Sequence, residues 1–135
     1  MKTKVKILAI DKEEIILKSI RKALKNDDYD ITTCTTALES LKFIRSDKYD
    51  LVLVDLILPG MSGNELLRRI KNVYKDIHVI IMSGYSSFGP QKTDFETTGG
   101  ETFGDTIDIL KKPFTTEELK FIINKILRKE QNNIV

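Results

Sequence analysis

The chain has 135 residues, of which 41% are apolar and 31% charged, and its formal net charge is +2. These values fit one ordinary soluble domain over residues 1–135 and exclude two full domains. Because Lys and Arg are spread along the chain, we expect no nucleic-acid partner. Cys34 is the only cysteine and the apolar runs are only a few residues long. We therefore expect no disulfide framework, no membrane partner and a cytoplasmic location.

Five short apolar runs alternate with stretches of helical period. The runs cover residues 5–10, 31–34, 51–54, 79–82 and 107–110. In the first helical stretch, Ile16, Ile20 and Leu24 recur at i, i+4 and i+8, which indicates one buried helix face. Further helices are predicted from about Thr36 to Arg45, after Ser62 and after Thr115. A repeated strand–helix order predicts an α/β fold, with a parallel sheet covered by helices on both faces.

Several residues carry weaker predictions. The group Arg68, Arg69 and Lys71 is interpreted as the solvated face of the third helix. Cys34 is interpreted as a small apolar filler on an edge strand. His78 is expected in a turn before the fourth strand, and residues 128–135 are expected to form a frayed, polar tail.

Four of the apolar runs end in a residue that can carry chemistry. These residues are Asp11, Asp55, Ser83 and Lys112. Because the carboxyl ends of parallel strands form one edge of a sheet, we expect the four side chains to converge there. Two carboxylates can hold Mg²⁺, a hydroxyl and an ammonium can hold phosphoryl oxygens, and a carboxylate can be a nucleophile. For each residue alone, a polar position where a buried strand meets solvent is the simpler interpretation.

The segments IDKEE, VDLILPGMSG, MSG and KKPF, in this order and over essentially the whole chain, resemble the receiver domain of two-component response regulators. The resemblance implies a flavodoxin-like, doubly wound, five-stranded parallel sheet with strand order 2-1-3-4-5. It also implies that Asp55 accepts a phosphoryl group from a histidine kinase, a phosphotransfer protein or a small phosphodonor. The domain would then assist its own phosphorylation and dephosphorylation, without being an enzyme on a free substrate.

The same resemblance implies a role for each residue at the strand ends. Mg²⁺ would be bound by Asp11, Asp55 and the backbone carbonyl of Ile57. Ser83 would be the switch hydroxyl and Lys112 the phosphate-binding lysine, followed by a proline whose preceding bond is usually cis in the family.

Lys12 departs from the family pattern, because it stands where the family usually has the second acid of the metal-binding pair. An ammonium there adds the wrong sign of charge, so we expect Mg²⁺ binding to be weak or absent. Lys12 could swing to solvent, pair with Asp55 or Asp11 in place of the cation, or be a surface lysine without a role. Glu13 is a less favourable substitute ligand.

The second departure is the segment 84–106 between the fourth and fifth strands, which contains no Ala, Ile, Leu, Met or Val and five of the seven glycines. No aliphatic face exists to dock the usual fourth helix, so the segment is predicted to be a mobile loop. Pro90 and Gly99 could bracket one short helix. Alternatively, the segment is an interaction surface for a downstream protein or a homodimer, with aromatic anchors at Tyr85, Phe88, Phe95 and Phe103.

The third departure is Ile109, which stands where the family usually has a Tyr or Phe that changes orientation on phosphorylation. Three functions remain open on the sequence alone. The first is a phosphoacceptor signalling module. The second is a pseudo-receiver that binds proteins without phosphorylation, and the third is an unrelated doubly wound domain for a small phosphorylated ligand. The third is disfavoured because no Gly-rich loop follows the first strand and its acidic residues would repel an anion.

Overall fold

The computed structural model describes residues 4–25, 28–84, 97–98, 101–102 and 106–132. Five strands form one parallel sheet: β1 (Val5–Ile10), β2 (Tyr29–Cys34), β3 (Leu51–Asp55), β4 (His78–Ser83) and β5 (Ile107–Lys111). The helices are α1 (Glu14–Ala23), α2 (Ala37–Ser46), α3 (Gly63–Val73) and α4 (Thr116–Asn132). The strand order is β2-β1-β3-β4-β5, all neighbours being parallel, which confirms the predicted order.

The core consists of two apolar clusters, one on each face of the sheet. Successive residues of a strand point to opposite faces, and in β1 the side chains of Leu8 and Ile10 join one cluster while Ile7 and Ala9 join the other. The first cluster packs under α2 and α3, and the second under α1 and α4. The uninterrupted aliphatic runs of the central strands are thus explained by burial on both faces, as predicted for a doubly wound sheet.

Hydrogen bonds fix three helix starts, and the sequence pattern predicts two of them, at Ser62 and Thr115. The Glu65 N–H donates to Ser62 Oγ at 3.1 Å, at the start of α3. Before α4, the Glu118 N–H donates to Thr115 Oγ1 at 3.0 Å and the Thr115 N–H donates to Glu118 Oε1 at 2.8 Å, a complete capping box. Thr36 caps α2 in the same way. Each cap contributes about 1 kcal/mol and sets where the helix begins after its strand.

The prediction for Lys71 is wrong. Its side chain is only 5% exposed, and its Nζ donates to the carbonyl of Ile77 and, at 2.5 Å, to Thr106 Oγ1. Burial lowers the pKa of Lys71 to about 8. The long aliphatic stem of a lysine can lie along apolar surface, which explains why a charged residue occupies a buried helix position. Lys71 joins the end of α3 to the starts of β4 and β5.

Two other positions also differ from expectation. His78 is the first residue of β4 and is 9% exposed, so it lies in the sheet rather than in a turn. Helix α4 continues through Asn132, whereas the polar tail was expected to begin after Leu127. Residues 128–132 include Arg, Lys, Glu and Gln, which are good helix formers, and this favours continuation of the helix.

Little of the segment between β4 and β5 belongs to the described residues. Thr97–Thr98 pairs antiparallel with Glu101–Thr102. The prediction of a short helix that ends at Gly99 is therefore wrong at Thr97 and Thr98, because β-branched threonines favour an extended backbone. The rest of the predicted loop lies outside the described residues. The candidate anchors Tyr85, Phe88, Phe95 and Phe103 lie outside them too. Among the helices that the structure does describe, none is long and apolar enough to cross a membrane.

Candidate functional site

Two carboxylates lie side by side at the carboxyl edge of the sheet. Asp55 is the last residue of β3 and Asp11 directly follows β1, and the strands are in register with Ile10 opposite Val54. Asp11 is fully buried and Asp55 is 4% exposed. Two buried carboxylates on neighbouring strands repel each other unless a cation compensates their charge.

The ammonium of Lys112 lies between these carboxylates. Its Nζ is 2.6 Å from Asp11 Oδ2 and 3.5 Å from Asp55 Oδ1. The backbone N–H of Lys112 donates to the carbonyl of Ser83 at 2.7 Å, which fixes the end of β5 against the end of β4. The Lys112–Pro113 peptide bond is cis, as the family resemblance implies. The predicted convergence of Asp11, Asp55, Ser83 and Lys112 at one edge is therefore observed.

A tight turn holds the backbone that follows Asp55. Ile57–Leu58 pairs antiparallel with Met61–Ser62 around Pro59 and Gly60. Gly60 has a φ of +82°, the conformation that a type II turn requires of its third residue. The Ile57 N–H donates to Asp55 Oδ1 at 3.3 Å. This pairing explains why Pro and Gly follow β3 at these positions.

Gly63, the first residue of α3, is required by close packing rather than by its φ angle. A Cβ atom at this position would lie 2.7 Å from the carbonyl oxygen of Leu56. From the sequence alone, the segment VDLILPGMSG supports the family resemblance but does not explain why position 63 is a glycine. The physical reason for its glycine is that α3 begins in direct contact with the residue after Asp55.

Two buried polar atoms of the site have no hydrogen-bond partner in the described part of the chain. These atoms are Asp55 Oδ2 and Ser83 Oγ, and Ser83 is only 2% exposed. Leaving a buried donor or acceptor unpaired costs about 1–3 kcal/mol, so native proteins rarely do so without a functional reason. A bound group with oxygen or cationic character would supply the missing partners.

Burial raises the pKa of Asp11, and the nearby charge of Asp55 acts in the same direction. Hydrogen bonds from Lys112 and from the Glu13 N–H, which is 2.8 Å from Asp11 Oδ1, oppose this shift. These two donors favour the charged form of the Asp11 carboxylate. A cation that binds Asp11 has to compete with Lys112.

Lys12 is exposed and forms no ion pair with Asp11 or Asp55. Of the alternatives predicted for Lys12, pairing with either carboxylate is therefore not observed, and its side chain is open to solvent. Glu13 is also exposed and contacts Asp11 only through its backbone N–H. No group of three or more His, Cys, Asp and Glu side chains with metal-binding geometry occurs within the described ranges. The described contacts bring the carboxylates of Asp11 and Asp55 together at this edge through Lys112, and the Ile57 carbonyl stays a ligand that only the resemblance implies.

Two further positions singled out in the sequence are Ile109 and Cys34, and the Cys34 carbonyl accepts the Asp11 N–H at 3.2 Å. Ile109 is opposite Ile81 in the sheet and packs, partly buried, against the cluster under α2 and α3. Cys34 is 4% exposed, and burial raises the pKa of its thiol to about 12. Both side chains pack as apolar residues.

The closer contact of Lys112 with Asp11 than with Asp55 was not predictable from sequence, because no local pattern encodes the length of a contact between distant residues.

Comparison with known proteins agrees with this geometry. The model of the response regulator receiver domain matches residues 7–124. The chain is 34% identical over 135 residues to the two-component response regulator ARR11 of Arabidopsis thaliana, with 96% of this chain and 24% of that protein covered. It is 26% identical to the response regulator MprA of Mycobacterium leprae, with 93% of this chain and 52% of that protein covered. The chain thus spans a quarter to a half of the length of these relatives.

A solved receiver domain has the same fold. The crystal structure of a response regulator receiver domain protein from Clostridium thermocellum superimposes with a TM-score of 0.78 at 28% identity, covering 96% of this chain and 99% of that one. An unrelated doubly wound domain, the third possibility left open by the sequence, is excluded by these matches. The chain belongs to the family of response regulator receiver domains.

Proposed function

We propose that this domain is a phosphoacceptor module of a two-component phosphorelay in which Asp55 receives the phosphoryl group. The observation that carries the proposal is that Asp55 Oδ2 and Ser83 Oγ are buried near the Lys112 ammonium and have no hydrogen-bond partner in the part of the chain that the structure describes. A phosphoryl group on Asp55 would accept hydrogen bonds from the Ser83 hydroxyl and from Lys112. Preorganised donors of this kind are the main means by which proteins stabilise phosphoryl transfer.

Asp55 Oδ2 is the oxygen available for attack, because Oδ1 already accepts the Ile57 N–H. A new O–P bond forms while the bond from phosphorus to the donor breaks, which is P–N for a phosphohistidine and P–O for a small acyl phosphate. The departing group keeps the bonding electron pair, and an imidazole leaving group takes up a proton from water. The product is an aspartyl phosphate, so the domain acts on its own side chain and not on a free substrate.

The donor would approach over exposed apolar side chains that flank the site in sequence. Ile15, in the first turn of α1, is 66% exposed, and Ile57, two residues after Asp55, is 51% exposed. Large exposed apolar residues beside a reactive group favour docking of another protein. This supports a histidine kinase or phosphotransfer protein as partner, in addition to small phosphodonors.

Receiver domains typically bind Mg²⁺ in their acidic pocket, and the donor set here fits the ion only in reduced form. Asp11, Asp55 and the Ile57 carbonyl would hold it, and it would neutralise charge on the phosphoryl oxygens. The Asp55 carboxylate would share a cation with Asp11, but Asp11 Oδ2 is occupied by Lys112. With Lys12 in place of the second acid, we propose that Mg²⁺ binds weakly and that Lys112 supplies part of the compensating charge.

One observation favours a second candidate function. The Lys112–Asp11 pair, at 2.6 Å, already compensates one buried carboxylate without a metal ion. A receiver whose site is stable in this form could act as a pseudo-receiver, that is, a protein-binding module independent of phosphorylation. This candidate predicts that Asp55 takes no phosphoryl group.

The experiment that separates the two candidates is incubation with a small acyl phosphate and Mg²⁺, followed by intact mass measurement. We expect the wild-type chain to gain the mass of one phosphoryl group and an Asp55→Asn variant to gain none. A Glu39→Gln variant removes an exposed acid on α2 and controls for nonspecific phosphorylation of carboxylates, so it should gain the same mass as the wild type. Absence of any gain in the wild type, with folding verified by circular dichroism, would instead support the pseudo-receiver.

A further inference from the structure

Helix α4 exposes an aromatic side chain on the face that points away from the sheet. Phe121 is 70% exposed, which makes it the most exposed large apolar side chain in the part of the chain that the structure describes. The opposite face of the same helix buries Leu119, Ile123 and Ile126 in the core under α1 and α4. Phe121 thus lies outside the core, and covering its ring by a partner would be favourable because it removes apolar surface from water.

Phe121 shares one exposed stripe of α4 with three polar residues. Glu117, Phe121, Asn124 and Arg128 stand at i, i+4, i+7 and i+11 of the helix, and all four are exposed. Residues at this spacing lie on the same face of a helix. We call this set the α4 stripe. It has an acid at its amino-terminal end, a base at its carboxyl-terminal end and an aromatic ring between them.

The spacing of the α4 stripe is the same in both directions, because its intervals are four, three and four residues. An antiparallel copy of α4 therefore places Glu117 beside the partner's Arg128 and Phe121 beside the partner's Asn124. Opposite charges then meet at both ends, and both rings lie near the two-fold axis. A parallel copy would instead bring like charges together. Self-complementarity of this kind is what a two-fold symmetric dimer requires of its surface.

The charged ends of the α4 stripe are available for such contacts. Neither Glu117 nor Arg128 forms an ion pair within the described ranges. Two charged neighbours of the stripe are already engaged, since Lys125 pairs with Asp108 at 3.1 Å and Glu118 accepts the Thr115 N–H in the capping box. The charges without a partner on this face are thus the ones that an antiparallel copy would pair.

We propose that a second copy of this chain docks on the α4 stripe, so that two domains form a two-fold symmetric, antiparallel pair of α4 helices. The antiparallel arrangement also places the opposite ends of the two helix dipoles side by side. Helix α4 has 17 residues, a length of about 25 Å. One helix pair of this length is smaller than an interface of standard size, so we expect a weak dimer that forms at high protein concentration. Asp55 takes no part in the contact, so the proposal stands or falls separately from phosphorylation.

The test is sedimentation equilibrium of the full chain at concentrations from micromolar to millimolar. We expect the wild type to show a reversible monomer–dimer equilibrium. Phe121→Ser should raise the dissociation constant about tenfold or more, because it removes the apolar centre of the contact. Leu38→Ser is the matched control, since Leu38 is 67% exposed on α2, and it should leave the dissociation constant unchanged.

A charge exchange tests the antiparallel arrangement. Glu117→Arg and Arg128→Glu each place like charges at both ends of the helix pair, so each should raise the dissociation constant about tenfold. The double variant restores opposite charges and should return the dissociation constant to about the wild-type value. Circular dichroism of each variant verifies that the domain is folded.

Three results would overturn the assignment. One is a wild-type chain that stays monomeric over the whole concentration range. Another is equal weakening of the dimer by Phe121→Ser and Leu38→Ser, and the third is a double charge variant that dimerises no more tightly than the single ones. Because the readout is mass in solution, a domain that takes no phosphoryl group still gives an answer.

Discussion

At the carboxyl edge of the sheet, Asp55 Oδ2 and Ser83 Oγ are buried and have no hydrogen-bond partner among the described residues, whereas at the amino edge the buried amine of Lys71 has both a carbonyl and a hydroxyl partner. Both edges contain charged residues at the ends of the same strands. The difference is that the Lys71 amine joins α3 to the starts of β4 and β5, while the described residues give Asp55 Oδ2 and Ser83 Oγ no such structural contact.

The largest effect is expected for Lys112→Met. This change leaves the carboxylates of Asp11 and Asp55 buried without a cation, so we expect a loss of about 3–5 kcal/mol in unfolding free energy at neutral pH. The rate of Asp55 phosphorylation should fall by about 10²–10³. Urea denaturation and timed intact mass spectra measure the two effects.

The matched control is Lys125→Met, which breaks an exposed pair with Asp108 at 3.1 Å. Its expected loss of stability is at most about 1 kcal/mol, because solvent screens exposed pairs. Equal losses in the two variants would show that the pairing at the carboxyl edge has no special weight.

At the amino edge, Lys71 predicts a pH dependence. Its pKa is lowered by burial from 10.5 to about 8, so the unfolded chain binds more protons than the folded chain between these values. Stability should therefore rise with pH across this window, by about 3 kcal/mol relative to Lys71→Met. Urea denaturation of both proteins at pH 7 and pH 10.5 tests the sign. Parallel pH dependence of wild type and variant would mean that Lys71 keeps an ordinary pKa.

Gly63→Ala tests how the fold positions Asp55. The added Cβ would lie 2.7 Å from the Leu56 carbonyl oxygen, so the loop after Asp55 has to move. We expect a loss of about 2 kcal/mol in stability and a phosphorylation rate lower by about tenfold to a hundredfold. At Gly60, where nothing lies within 4 Å of an added methyl group, Gly60→Ala should reduce stability through its positive φ with a smaller change in rate.

The smallest expected effect concerns the metal. Lys12→Asp restores an anionic oxygen donor and should tighten Mg²⁺ binding about tenfold, or about 1.4 kcal/mol. Lys12→Gln, which removes the charge without adding a ligand, should give an intermediate affinity by calorimetry. Identical affinities in all three proteins would show that the exposed Lys12 has no influence on the cation.

Much of this architecture is predictable from local sequence. The aliphatic run before Asp55 requires burial on both faces, and the caps at Ser62 and Thr115 need only residues three positions apart. Lys71 escaped prediction because its burial depends on Thr106, 35 residues away. For the same reason, the preference of Lys112 for Asp11, 101 residues away, could not be deduced from sequence.

The site residues themselves were predictable as a set, because parallel strands bring their carboxyl ends to one edge. Their roles remain a proposal, since convergence does not identify which carboxylate reacts. The unpartnered Asp55 Oδ2 provides the physical distinction, because both oxygens of Asp11 accept hydrogen bonds. The aromatic residues between β4 and β5 stay a sequence prediction.

The most direct test of the phosphoacceptor assignment is to locate the phosphoryl group on the chain. The protein is incubated with a small acyl phosphate, reduced with borohydride, which converts an aspartyl phosphate to homoserine, and mapped by peptide mass spectrometry. We predict conversion at Asp55 and none at Asp11 or at the amino-edge residues Asp50 and Asp76. Conversion at any of these instead of Asp55, or none in a folded sample, would contradict the account.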